Sequence, residues 1–148
     1  MFLNWANDAE VTKFLTWEPH QSVEEIKQLL VNWVKSYGNL DYYQWGIILK
    51  DENRLIGGIS VVKIDEDLNT IEIGYCIGKK WWGKGITTEA LKRVIEFFFN
   101  EVRANNIEAR HYIENVNSGK VMRKAGMIYE KTVEEPRVMC CYLVKNEK

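Results

Sequence analysis

The chain has 148 residues, 46% hydrophobic and 28% charged. That is an ordinary globular composition, and the length suits one domain able to bury roughly 70% of the surface its unfolded chain exposes. A formal net charge of -1 gives no bulk reason to expect nucleic acid or an acidic membrane as partner, so any anion must be held by local geometry. Cys76, Cys140 and Cys141 have neither disulfide-framework nor metal-ligand spacing, and His20 and His111 are the only histidines, so neither a metal nor a His-driven triad is expected. Met1 to Glu10 lacks the basic start and apolar stretch of a secretory signal, and no apolar run approaches the roughly 20 residues that cross a bilayer. A cytoplasmic protein with no membrane contact is the expectation.

No linker or repeat interrupts residues 1–148, so a single domain is expected. Ala6 to Leu15 reads as a short helix. Ser22-Val23-Glu24-Glu25 is a capping box, and Ile26, Leu29, Leu30, Trp33, Val34 and Tyr37 follow at helical spacing until Gly38. Gln44 to Lys50, Leu55 to Asp65 and Thr70 to Ile77 read as strands joined by the polar turns Asp51-Glu52-Asn53 and Asp65-Glu66-Asp67, which suits an antiparallel meander. The loop Gly78 to Gly85 leads into a helix whose apolar stripe is Ala90, Leu91, Val94, Ile95, Phe98 and Val102. Ile107 to Ile113 is a strand, Ser118 to Ala125 a short helix stopped by Gly126, and Met127 to Glu134 and Val138 to Val144 are two further strands. The order is an α+β pattern of about four helices on a mixed sheet, with a right-handed parallel crossover between the strands at Thr70 and Ile107. Ligands of such units sit where a strand end opens into a helix.

That position is occupied by Trp81-Trp82-Gly83-Lys84-Gly85-Ile86-Thr87-Thr88. Gly83 and Gly85 allow a tight turn with outward amides. The helix starting around Ile86 adds unpaired N–H groups and the positive end of its dipole. Together they suit a phosphate or pyrophosphate without help from net positive charge, with Lys84 as a charge-assisted contact or a solvated side chain. A plain strand-to-helix turn with two permissive glycines is the bland alternative. A Walker A loop starts well at Gly78-x-x-x-x-Gly83-Lys84 and then fails, because Gly85 stands where a magnesium-binding Ser or Thr belongs. A dinucleotide fingerprint fails because Thr88 stands at its third glycine.

With this loop in view, the sequence resembles the GNAT-superfamily N-acetyltransferases, in particular the Rim-type ribosomal-protein acetyltransferase branch. The resemblance runs through Trp5-Ala6-x-Asp8-x-Glu10-Val11-Thr12-Lys13-Phe14-Leu15, Leu55-Ile56-Gly57-Gly58-Ile59 and Ile71-Glu72-Ile73-Gly74-Tyr75. It is most specific in Trp82-Gly83-Lys84-Gly85 through Thr88-Glu89-Ala90-Leu91 and in Asn115-x-x-Ser118-x-x-Val121-Met122-x-Lys124-x-Gly126-Met127. It implies the GNAT fold, with a mostly antiparallel mixed sheet and a splayed central strand pair between Ile77 and Ile113. It also implies acetyl-CoA as co-substrate, with its pyrophosphate on the amides of Trp82, Gly83, Lys84, Gly85, Ile86 and Thr87 and its pantetheine along the strand ending at Cys76 and Ile77. The acetyl group would pass directly to an amine acceptor in a ternary complex. Two departures stand out: Lys80 replaces the Gln or Arg that usually opens the pyrophosphate segment, and the family's N-terminal edge strand has no counterpart. Homodimerisation is family habit.

Acetyl transfer needs a neutral amine, so an ammonium of pKa ~10.4 or an α-amine near ~8 must shed a proton. Glu72 is the candidate base, or a solvent-facing carboxylate on a half-buried strand. A backbone N–H near Cys76 or Ile77 is the candidate oxyanion donor. Ser118 is the candidate proton donor to the leaving thiolate and Asn115 an orienter of the cofactor's amides, although both residue types also cap helices. Cys76 has no neighbouring base in the sequence to make it a nucleophile. A non-catalytic coenzyme A-binding or sensor domain on the same fold is the alternative, and a small NTP-binding switch on the Walker-like loop is a distant third. The acceptor, whether a protein N-terminus, antibiotic, polyamine or amino acid, is not legible.

Overall fold

A computed structural model describes residues 43–134 and 137–147, together with 24, 27, 28, 31 and 32. The first predicted helix and the question of an N-terminal edge strand therefore lie outside the described residues. So does the apolar stripe of the second helix. Its described positions, Glu24, Lys27, Gln28, Val31 and Asn32, are helical and exposed, with Lys27 bonded to Glu24 at 3.4 Å and Gln28 to Asn32 at 3.2 Å. These are positions complementary to the expected apolar stripe.

Six strands follow the expected runs closely: β1 Gln44–Leu49, β2 Arg54–Asp65, β3 Thr70–Ile77, β4 Asn106–Tyr112, β5 Ile128–Val133 and β6 Met139–Lys145. They form one mixed sheet in the order β1-β2-β3-β4-β6-β5. The β3–β4 pair is parallel, while β1–β2, β4–β6 and β5–β6 are antiparallel. The helices are α1, Ile86–Phe97, and α2, Val116–Lys124, with a 3-10 turn at Lys79–Trp81. Asn53 and Asn69 close the first two turns at φ 48° and 49°, the left-handed conformation that asparagine tolerates better than most residues.

The chain divides into two compact units, Met1–Ser60 with Tyr75–Trp82, and Val61–Gly74 with Gly83–Lys148. In the first, Ile47, Ile56, Ile59, Ile77 and Trp81 are buried. β1 and β2 lose register between Ile47 and Ile48, where Ile47 faces Gly57 but Ile48 faces Leu55. The bulged residue, Ile56, accepts the Gly78 N–H at 2.8 Å, which anchors the start of the loop that follows β3.

In the second unit the core is Ile71, Ile73, Leu91, Val94, Ile95, Phe98, Ile107, Ala109, Met122, Met127, Cys141 and Tyr142. Each large aliphatic among them contributes about 1.5–3 kcal/mol by leaving water. The β3–β4 ladder runs from Thr70↔Asn106 to Ile73↔Ala109, leaving residues 74–77 of β3 and 110–112 of β4 beyond its last rung. That is where a splayed pair was expected to part.

Two expectations about the helices need correction. Val102 is not part of the buried stripe: α1 runs into a π-helical turn over Phe98–Val102, whose extra residue per turn rotates Val102 out to 36% exposure while Phe98 stays fully buried. The short helix begins at Val116 rather than Ser118, because the Asn115 side chain accepts the Ser118 N–H at 3.3 Å and so caps it. Its other end is as read: Gly126 takes φ 95°, and Gly126 N–H to Arg123 O and Met127 N–H to Met122 O, both 3.0 Å, complete a Schellman motif.

Candidate functional site

The strand end that was to carry the pantetheine is held from behind by a glycine. A Cβ on Gly57 would lie 2.4 Å from the Cys76 carbonyl oxygen and 2.9 Å from the Ile77 Cα, so only glycine lets β2 approach this closely. In the sequence Gly57 carried no role beyond its place in a resemblance; a glycine pair inside a strand was the available signal. The Ile77 carbonyl accepts the Trp82 indole N–H at 2.9 Å. Burial pushes the Cys76 thiol up to about 11, partly offset by a hydrogen bond with the Gly58 backbone. A thiol that stays protonated through the physiological range is no acyl-accepting nucleophile, which agrees with the absence of a base beside it.

After β3 the 3-10 turn spends two amides, Trp81 N–H on Gly78 O at 3.0 Å and Trp82 N–H on Lys79 O at 3.1 Å. Trp82 was expected to offer its amide to the pyrophosphate. That amide is already used, and Trp82 serves instead to tie the loop to the end of β3. Beyond it the picture is different. Gly83 at φ 74° and Gly85 at φ 79° are left-handed, exposed and open around the would-be Cβ. Glycine is required there for backbone conformation rather than for space. Glu89 N–H to Gly85 O at 3.1 Å opens the first turn of α1. Among the described residues no main-chain bond outside regular elements engages the amides of Gly83, Lys84, Gly85, Ile86 or Thr87. A helix leaves its first N–H groups without intrahelical partners, so these are oriented donors at the positive end of a helix dipole. Lys84 is exposed; Thr87 is buried.

On α2, Asn115 holds the cap position and Ser118 stands in the first turn, half-buried. The two residues are therefore joined by the Asn115 Oδ1 to Ser118 N–H bond, which from sequence was only a competing role. Glu72, on the face of β3 opposite the buried Ile71 and Ile73, lies 2.9 Å from Arg110 Nε through Oε1. The contact is an ion pair without good hydrogen-bond alignment. The arginine partner was not foreseen: it comes from β4 through the register that sets Glu72 beside Glu108. His111 is buried beneath α2. Its Nδ1 carries the proton, since it bonds the Tyr112 carbonyl at 2.8 Å, and its Nε2 has no partner among the described residues. A Cβ on Gly119 would lie 2.8 Å from that Nε2. Among the described residues there is no cluster of three His, Cys, Asp or Glu that could hold a metal, and no helix long and apolar enough to cross a membrane.

The fold that carries this strand, loop and helix is shared with known proteins. Residues 1–128 match the acetyltransferase (GNAT) domain family. The uncharacterized N-acetyltransferase p20 of Bacillus licheniformis is 28% identical over 144 residues, 93% of this chain and 80% of that protein. The [ribosomal protein uS5]-alanine N-acetyltransferase of Escherichia coli is 28% identical over 80% of this chain and 64% of its own length. Among solved structures, an acetyltransferase (GNAT family) from Bacillus anthracis superposes with a TM-score of 0.82 at 26% identity, covering 98% of this chain and 87% of the other. The fold is shared as well by the spermidine N-acetyltransferase of Vibrio cholerae, solved with CoA and spermine, at a TM-score of 0.81 and 17% identity over 98% of this chain and 88% of the other. The chain belongs to the GNAT family of N-acetyltransferases.

Proposed function

We propose that this cytoplasmic N-acetyltransferase moves the acetyl group of acetyl-CoA directly onto a primary amine within a ternary complex. The observation that carries the reading is the run of amides from Gly83 to Thr87, which no main-chain bond outside regular elements engages among the described residues, shaped by two left-handed glycines and continuous with the N-terminus of α1. It provides several N–H donors for a pyrophosphate in a protein of net charge -1, so binding rests on geometry. CoA bound to a neighbour of the same fold supports this choice of anion.

In this reading the pantetheine runs along the strand end at Cys76 and Ile77, and a backbone N–H there receives the oxyanion. Glu72 takes a proton from the acceptor's ammonium, directly or through water, freeing the nitrogen lone pair to attack, with Arg110 fixing the carboxylate. Ser118 donates a proton to the departing thiolate. Asn115, whose Oδ1 is committed to the cap, orients the cofactor through its amide nitrogen. The neutral Cys76 thiol supports direct transfer over an acyl-enzyme. The acceptor is a protein N-terminus or a small-molecule amine; relatives named for a ribosomal-protein alanine and for spermidine mark the two ends of that class.

The test is thiol release from acetyl-CoA over a panel of N-terminal peptides, polyamines and amino acids. Saturable release with one acceptor class is the expected result. The Glu72–Arg110 pair equally favours a second reading, in which the carboxylate is structural and the domain binds CoA without turning it over. Tight CoA binding by calorimetry with no release for any amine would establish that alternative, and absence of CoA binding would defeat both.

A further inference from the structure

We infer that His111 is a positioning residue for the transfer step: it fixes the start of α2, and with it Asn115 and Ser118. The inference rests on the roles given to those two residues above. β4 ends at Tyr112 and the chain turns at once into α2. That turn is closed by the Asn115 N–H on the Tyr112 carbonyl at 2.8 Å. The same carbonyl accepts the His111 Nδ1–H, also at 2.8 Å. Two donors on one oxygen fix the plane of the peptide joining Tyr112 to Ile113, and that plane sets the direction in which the turn departs. At the far end of the turn the Asn115 Oδ1 receives the Ser118 N–H at 3.3 Å. A tilt of the Tyr112 carbonyl therefore travels through the turn bond and the cap bond to Ser118.

The imidazole is itself held in place. It is only 8% exposed, and α2 lies against its far edge, where a Cβ on Gly119 would sit 2.8 Å from Nε2 and 3.2 Å from Cε1. Glycine at that position lets the helix lie on the ring without pushing Nδ1 off the carbonyl. Tyr112 has little freedom to compensate. Its buried ring lies under the Arg137 guanidinium, 3.9 Å from the centroid, and its backbone is paired with Met139.

Stability alone does not select a histidine here. Asn115 satisfies the Tyr112 carbonyl without it, and Nε2 is a buried acceptor with no partner among the described residues. A buried polar atom left unpaired opposes folding. An apolar side chain of similar volume would remove that penalty without orphaning the carbonyl. What it could not supply is the second bond.

The test compares His111→Leu with His111→Asn in the full chain. Asparagine places an amide N–H where Nδ1–H stands but is too short to reach Gly119; leucine fills the space and donates nothing. The Leu variant is expected to melt no lower than wild type, yet to lose about 30-fold in kcat with acetyl-CoA affinity within about threefold. The Asn variant is expected to melt lower, because it leaves a cavity under α2, yet to keep kcat within about fivefold. Amide exchange at Ser118 reads the cap without turnover and should quicken about tenfold in the Leu variant alone. A role confined to packing predicts the reverse order, with activity following melting temperature. A Leu variant as fast as wild type, an Asn variant as slow as Leu, or Ser118 exchange unchanged in the Leu variant would each overturn the inference. A wild type that releases no thiol with any amine defeats the catalytic reading instead, and the Ser118 exchange rates then decide whether His111 holds the cap.

Discussion

Three kinds of glycine in this chain should respond differently to the same added methyl. In Gly57→Ala the new Cβ lies 2.4 Å from a carbonyl oxygen and 2.9 Å from a Cα. Ordinary van der Waals contact begins near 3.4 Å, so β2 and the Cys76–Ile77 segment must separate by about 1 Å, and both sides of the clash are backbone. Overpacking of this kind costs about 1–3 kcal/mol, and with no flexible side chain to give way the upper figure applies. At ~2–4 °C per kcal/mol for a protein this size, the melting temperature falls by about 6–12 °C. Gly58→Ala is the control one residue along, where the nearest atom is the Trp45 carbonyl oxygen at 3.5 Å, and it should melt within about 2 °C of wild type. Gly85→Ala meets no atom within 4 Å but must hold φ 79°, costing about 1–2 kcal/mol of backbone strain. Because that strain falls on the loop proposed to hold the pyrophosphate, its expected signature is weaker acetyl-CoA binding. Differential scanning fluorimetry and calorimetry with acetyl-CoA separate the three. Gly57→Ala behaving like Gly58→Ala would refute the claim that close backbone approach positions the end of β3.

Further outcomes follow from the same geometry. Glu72→Gln and Ser118→Ala should each lower kcat about 100-fold or more while leaving acetyl-CoA affinity within about threefold, measured by steady-state thiol release beside calorimetry; equal losses in both would show structural roles. The Cys76 thiol should resist iodoacetamide in the folded protein at pH 8, and mass mapping should find label there only after unfolding. Because its pKa is raised on folding, the native state holds the proton after the unfolded chain has lost it. Stability is therefore full below about pH 9 and falls between about pH 9 and 11, by at most about 3 kcal/mol; chemical denaturation of Cys76→Ala should lack that component. Asn146→Ala removes bonds to the Ala104 carbonyl at 3.1 Å and the Phe99 carbonyl at 3.4 Å. It should cost about 1–2 kcal/mol with kcat unchanged, read by urea denaturation.

Local physics made much of this fold legible. All six strands lie within one or two residues of where alternation and polar turns put them, because each turn carries its own signal: Asn53 and Asn69 in left-handed conformation, and an Asp65 side chain accepting the Leu68 N–H at 3.1 Å. Gly83 and Gly85 marked the loop for the same reason. What escaped is what distance in sequence hides. Arg110 reaches Glu72 only through the β3–β4 register. Asn69, Asn106 and Asn146 bond groups 34 to 47 residues away, and no periodicity announces them. The Asn115 cap was visible as a possibility, but choosing between cap and cofactor contact needed the bond to Ser118. The π-helical turn escaped because the apolar spacing into it is still helical.

The strand order β4-β6-β5 carries a consequence for how the molecule is made. β6, the last of the six described strands to be synthesised, occupies an interior position, pairing with β4 from Asn106↔Lys145 to Tyr112↔Met139 and with β5 on its other side. Until residues 139–145 leave the ribosome, β4 is a raw edge exposed to any passing strand. Loss of this one segment would remove the partner of both β4 and β5 and so divide a sheet whose preceding strands are all intact.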